Sequence, residues 1–275
     1  MRKRGFTLIE LLVVIAIIAL LLSVMLPSLR KAKAYARKVI DSTNLRSLSM
    51  ALHIYLNTNN DRFFDYGTGT LWMDRISDAI DDLDAIRFCP ETTGKVQEVL
   101  NDYNGSNSIW GTSMRPWLWN NSSNPIDRYE MGSYGLNGWF YAECKNKPAG
   151  HTCLVCQSSD ADRKLLFQNR AAVRNPGKTP FILDANWVDG WARNTNTLPA
   201  TGYRYDTGDT THGGMGVTTM IGRYVVDRHG PETNVIFLDG QVQTIPHADL
   251  WTLFWHRGST PNFNATVPQP IPAKK

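Results

Sequence analysis

The chain has 275 residues, 42% of them hydrophobic, with 14 Pro, 21 Gly and 9 Trp, so core size does not limit it to a small stapled scaffold. Its formal net charge is +4, and Arg2, Lys3 and Arg4 supply three of those charges ahead of Gly5. Net charge therefore makes no case for a polyanionic partner, and no nucleic acid is expected.

Residues 6–26 form the first predicted element, 21 residues that are apolar or small except for Thr7, Glu10 and Ser23. At ~1.5 Å per residue this helix covers about 30 Å, one hydrocarbon core. A secretory signal peptide has a shorter apolar stretch, about 7–15 residues, ending in a small-residue cleavage site. Here Met25, Leu26 and Pro27 follow instead, and the chain continues into a basic, helix-like segment. Charge alone does not fix orientation, because Arg30, Lys31, Lys33, Arg37 and Lys38 outnumber the three leader charges.

Glu10 is the anomaly in this segment. A carboxylate in the middle of a lipid-facing helix costs about 2.5–3.5 kcal/mol. Glu10 lies one turn from the start, so in a lone subunit it can snorkel to the headgroups. Alternatively, cleavage between Gly5 and Phe6 would create an α-amino group near Glu10. In a bundle of such helices, the amine of one subunit could neutralise the Glu10 of its neighbour. Pro27 has no N–H and crowds the carbonyl of Ser23, so it should bend or loosen the helix where it leaves the membrane.

The sequence from Lys3 to Glu10, KRGFTLIE, followed by an apolar run, resembles the processing site of type IV pilins and type II secretion pseudopilins. The resemblance implies that a prepilin peptidase cuts after Gly5, that the new N-terminal Phe6 is N-methylated, and that Glu10 is the assembly acid. It also implies that residues 1–5 are cytoplasmic and everything after Pro27 is outside. A Pro at this spacing from the Glu is frequent in that family.

Residues 28–56 read as a continuing helix. Leu45, Leu48, Leu52 and Tyr55 fall at helical spacing, and Leu29, Ala32, Ala36 and Val39 extend the stripe N-terminally. Turn formers at 57–61 end it. Residues 60–175 are rich in Asn, Gly, Ser, Trp and Tyr, with one short helix expected over 74–86 and "DDLD" (81–84) as its solvated end. "SYGLNGWFYAE" (133–143) reads as a turn followed by a strand. "PFILDAN" (180–186) is a short strand, and "NVIFLDGQVQTI" (234–245) is a hairpin with Asp239 and Gly240 as a two-residue turn.

His229, nine residues, then Asp239 and Gly240 resemble the C-terminal signature of prepilin-like proteins with a processing-associated H-X9-DG domain. "NLRSLSMALHIY" (44–55), "RFCPET" (87–92) and "SYGLN" (133–137) extend the likeness. Many members carry a Cys three residues before the Asn-Leu pair, where this chain has Asp41, so a covalent cross-link from the helix to the head is not expected.

Cys89, Cys144, Cys153 and Cys156 in an exported domain point to two disulfides of open connectivity. Cys153 and Cys156 with His151 nearby offer a zinc knuckle as the second reading, but a full zinc signature needs two knuckles. His229 at the start of the hairpin can tie strands together through Asp239 or Asp184, or contribute to a metal site; the structural tie is preferred. Trp110, Trp117, Trp119, Trp139, Trp187 and Trp191 are expected to pack rather than to stack on sugars. No catalytic constellation stands out; no cofactor, metal or enzymatic activity is expected.

The resulting expectation is an α+β, pilin-like fold. It comprises a leader (1–5), a transmembrane and assembly helix (6–27), a continuing spine helix (28–58) and an exported head (59–275) with a C-terminal antiparallel sheet and long loops. Its role would be that of a structural subunit of a type IV pilus or type II secretion pseudopilus. It would be held in the inner membrane by a single pass and then assembled into a periplasmic or surface filament. Expected partners are the prepilin peptidase, related subunits, the inner-membrane assembly platform and membrane lipid. The alternative is a membrane-anchored surface binding protein that uses the same N-terminus only for export.

Overall fold

The computed structural model describes residues 7–66, 71–102, 108–119, 130–142, 160–197 and 220–265. The chain divides into two units, residues 1–39 and residues 40–275.

Helix α1 (Leu8–Thr58) is 51 residues long and continues through Pro27 without interruption. It is long and apolar enough to cross a membrane. In the first unit its apolar side chains are all exposed, including Leu11, Ile15, Ile18 and Leu22. The exposed face does not end at the membrane-length segment. Leu29 and Val39 remain 65% and 49% exposed, so they do not extend the packed stripe as the spacing predicts.

In the second unit the burial of α1 begins at Asp41. Leu45, Leu48, Leu52 and Leu56 recur at the helical period and are each at most 1% exposed, so this stretch of the helix is amphipathic and docked. The helix stops where Asn60 and Asp61 take left-handed backbone conformations (φ 54° and 57°), which Asn and Asp tolerate through local side-chain bonding. Asn59 Nδ2 donates to the Tyr55 carbonyl at 2.8 Å, covering one of the orphan helix-end acceptors.

The head is built on a five-stranded sheet. Its strands are β3 (Tyr134–Asn137), β4 (Pro180–Asp184), β5 (Asp189–Gly190), β6 (Glu232–Phe237) and β7 (Val242–Pro246), in the order β5-β3-β4-β6-β7. Every pairing is antiparallel except β3 with β5. A second small sheet pairs β1 (Trp117–Trp119) with β2 (Glu130–Gly132). The core joins α1 to β3, β4 and β6 through aromatic side chains such as Phe63, Phe140 and Phe181, whose rings meet edge to face at 4.7 Å for two of the pairs. This α+β arrangement of a long N-terminal helix and an antiparallel-rich sheet is the expected fold.

Three local expectations change. The helix over 74–86 is broken into α2 (Trp72–Ile76), a 3-10 turn and α3 (Leu83–Ile86). Ile80 is extended, and Asp82 restarts the helix by accepting from Ala85 N–H at 3.1 Å. "DDLD" is therefore a helix beginning, not an end. In 133–143 the strand precedes the turn: β3 comes first, and Gly138–Phe140 is a 3-10 turn capped by the Asn137 side chain.

The hairpin is correct in its strands and different in its turn. Phe237 and Gln241 face each other, and Gly240 N–H returns to the Phe237 carbonyl at 2.9 Å. The loop is thus the three residues Leu238, Asp239 and Gly240, with Gly240 alone at positive φ (90°), the three-residue solution for a twisted hairpin. A β-carbon at Gly240 would meet only ordinary contacts, the nearest being His53 Nε2 at 3.5 Å. The cost of Gly240→Ala is therefore conformational, about 1–2 kcal/mol. Denaturant unfolding of the full chain in detergent should show that loss, with Gly240→Asn less affected.

Candidate functional site

Gly5 and Phe6, the expected processing junction, lie outside the described residues. The residues immediately after them form a defined helix start. Thr7 N–H and Thr7 Oγ1 both donate to Glu10 Oε2 at 2.8 Å, and Glu10 N–H donates to Thr7 Oγ1 at 3.2 Å. This is a reciprocal capping box, in which Thr7 and Glu10 each satisfy a backbone donor of the other. The spacing Thr7-x-x-Glu10 carries that signal in the sequence, and it gives Glu10 a local role besides those of an interfacial or assembly acid. In the single chain, then, the anomalous acid finishes the N-terminus of its own helix.

The second constellation is a buried polar junction inside the head. Asp41 of α1 is fully buried and is met from three directions. Tyr134 OH donates to Oδ1 at 2.7 Å, Asn234 Nδ2 donates to Oδ2 at 2.6 Å, and His229 Nε2 lies 3.3 Å from Oδ2. Asp184, the last residue of β4, is equally buried. His229 Nε2 lies 3.6 Å from its Oδ2 and Arg228 Nη1 3.1 Å from its Oδ1. Arg228 also donates to the carbonyls of Ser133, Ala185 (2.7 Å) and Thr112 (3.2 Å). Cys89 Sγ approaches His229 Nε2 at 3.4 Å, and Asn44 Nδ2 donates to the Phe88 carbonyl at 3.1 Å, holding that loop to α1.

The electrostatics follow from enclosure. Burial alone would raise the Asp41 carboxyl, but His229, Asn234 and Tyr134 outweigh it and hold the group below its usual range. Burial and the charge of Asp41 push Asp184 upward. Burial alone would lower the His229 imidazole, but the bond to Asp41 and the two carboxylate charges raise it. Burial, then the neighbouring carboxylates, push the Cys89 thiol well above its ordinary value. Asp41, Cys89, Asp184 and His229 are also the described residues that could hold a metal ion, each offering one ligand atom within 4.8 Å of the others.

Several expectations are sorted by this geometry. His229 meets Asp184, one of its two anticipated partners, and Asp41, which was not anticipated. It does not meet Asp239, because β6 lies between them and six residues of strand span about 20 Å. Asp239 instead serves the turn, its Oδ1 accepting from Gln241 N–H at 3.0 Å. Cys89 is a free buried thiol whose sulfur faces His229 in the junction. Cys144, Cys153 and Cys156 lie outside the described residues, as does His151.

The tryptophans pack as expected. Trp117, Trp139 and Trp191 are buried, Trp119 is half-buried against the core, and Trp110 stacks on Trp187 with centroids 4.0 Å apart. Six of the nine are buried and Trp110, Trp119 and Trp187 are half-buried.

Comparison with known proteins bears on the N-terminus. Residues 1–26 match the family described as "Prokaryotic N-terminal methylation motif". Over 65 residues of its N-terminal part the chain is 38% identical to the "Type IV major pilin protein PilA" of Myxococcus xanthus (strain DK1622). That alignment covers 24% of this chain and 29% of the relative's length. No solved structure matches. The chain thus carries a prepilin-type methylation motif and shares its N-terminal part with a type IV pilin.

Proposed function

We propose that the protein is a structural subunit, a pilin or pseudopilin, that is cut by a prepilin peptidase and assembled through its N-terminal helix. One observation carries the reading: the methylation motif opens a helix whose apolar side chains stay exposed from Leu8 to Ile40. That length exceeds what one bilayer crossing needs, about 20 residues. The additional apolar surface, Leu29, Tyr35, Val39 and Ile40, suits burial against related helices once the subunit leaves the lipid. Before assembly the helix spans the inner membrane once, with residues 1–5 cytoplasmic and the head outside. The partners are the peptidase, related subunits and the inner-membrane assembly platform.

In this reading Glu10 changes partner. In the stored subunit it closes the capping box with Thr7. In the filament the amine freed at Phe6 of one subunit neutralises the Glu10 of its neighbour. Pro27, which leaves the Ser23 carbonyl without its usual helical donor, is the point at which the helix can loosen during that transfer. The spacing of His229 to Asp239 and Gly240 further supports assigning the head to the H-X9-DG group of prepilin-like proteins.

Intact-mass analysis of protein extracted from membranes tests processing. The expected species lacks residues 1–5 and carries one methyl group on Phe6. A chain that retains Met1 would remove the pilin reading.

A further inference from the structure

We infer that Asp41, Cys89, Asp184 and His229 form a tetrahedral zinc site that clasps α1 to the head. The four residues come from four segments: α1, the loop after α3, the end of β4 and the loop before β6. Their ligand atoms converge to within 4.8 Å of one another. Zinc with bonds of about 2.0–2.1 Å to nitrogen, 2.0–2.2 Å to oxygen and 2.3 Å to sulfur sets tetrahedral N–O separations near 3.3 Å and N–S separations near 3.6 Å. The observed separations from His229 Nε2 are 3.3 Å to Asp41, 3.6 Å to Asp184 and 3.4 Å to Cys89.

A proton serves this arrangement poorly. Nε2 carries at most one hydrogen and faces two carboxylate oxygens and a sulfur at once, so a single hydrogen bond from it cannot reach all three. A cation at their common centre serves all four. A thiolate, an imidazole and two carboxylates suit zinc better than the hard oxygen-seeking cations. Charge also closes: two carboxylates and a thiolate are balanced by the divalent ion and the Arg228 guanidinium on Asp184.

The outer contacts are those a metal site needs to orient its ligands. Tyr134 and Asn234 hold Asp41, while Arg228 and the Asn234 N–H hold Asp184. The site is enclosed, since the side chains of Asp41 and Asp184 are 0% exposed and that of His229 is 2% exposed. Four protein ligands in an enclosed site make it a structural centre. It joins segments far apart in the chain, where a cross-link removes most freedom from the unfolded state. The ion thus ties α1, through Asp41, to three segments of the head. This extends the reading of His229 from a strand tie to a metal ligand.

The test uses the full chain, purified in detergent from zinc-replete cells, and measures metal content, cobalt spectra and thiol state. About one zinc per chain should survive dialysis and be lost in Cys89→Ser, while Cys153→Ser, at the separate Cys-x-x-Cys pair, should keep it. Cobalt substitution should give a thiolate-to-metal charge-transfer band that disappears in Cys89→Ser. Tyr134→Phe, which removes one outer contact to Asp41 and keeps the core volume, should bind zinc about 10–100-fold more weakly. The inference is overturned by a metal-free wild type that takes up no zinc on titration. Zinc that persists in Cys89→Ser, or a Cys89 found in a disulfide by non-reducing peptide mapping, overturns it equally. Processing of residues 1–5 is scored on the same samples, so failure of the zinc site is distinguishable from failure of the subunit reading.

Discussion

Glu10→Gln protein is expected to be cleaved and retained in the inner membrane, yet absent from filaments sheared from the surface. The substitution is selective because a capping box accepts Gln at the third helical position as well as Glu. The amide oxygen of the new side chain can still accept from Thr7 N–H, so the helix start seen here survives. What is lost is the charge. In a filament the freed amine of Phe6 would then be buried without a counter-charge, and breaking a buried pair this way costs about 3–5 kcal/mol. At ~1.4 kcal/mol per tenfold, each subunit addition weakens by roughly a hundredfold to a few thousandfold. Glu10→Ala separates the two roles from the other side, because it loses the cap as well, worth about 0.5–2 kcal/mol. Normal filament yield from Glu10→Gln would leave Glu10 as a helix cap at the membrane surface and favour an anchored binding protein.

Arg228→Ala is expected to destabilise the head by about 3–5 kcal/mol, the range found when one partner of a buried ion pair is removed. Arg228 is the hub of the junction's cationic side. One guanidinium answers the Asp184 carboxylate and the carbonyls of Ser133, Ala185 and Thr112. Truncation leaves these acceptors facing a cavity. Lys in its place keeps the charge but lacks the planar fork, so Arg228→Lys should recover only part of the loss. Tryptophan fluorescence during denaturant unfolding of the full chain in detergent measures both variants. A change under about 1 kcal/mol for Arg228→Ala, the size of an exposed pair, would show that the acceptors find other donors and that Arg228 is not the hub.

The sequence alone carried many of the features that depend on neighbours in the chain. The apolar run and its single acid define the N-terminal part of α1 and the methylation motif. Leu45, Leu48 and Leu52 identify the docked face by their period. Short apolar runs mark β4 and β6, and Gly240 marks a turn because glycine takes that backbone angle without strain. Turn type was less legible, since two- and three-residue loops share the Asp-Gly signal and differ in which residues face each other across the strands. How far the packed stripe runs was also not legible. Leu29 and Val39 keep the helical period, but periodicity states which residues share a face and not whether anything covers it.

Only the tertiary structure decided the junction. Asp41 meets Asn234 across 193 positions of chain, and Cys89 meets His229 across 140. No spacing rule connects them, because their approach is set by the register of β4 on β6 and by the docking of α1 on the sheet. Each residue alone reads as a leftover: an Asp on a mostly apolar helix face, a Cys assigned to a disulfide, a His set against the wrong Asp. Burial is what joins them. An acid, a thiol and an imidazole enclosed away from water must satisfy one another or share an ion, and enclosure is a property of the folded chain.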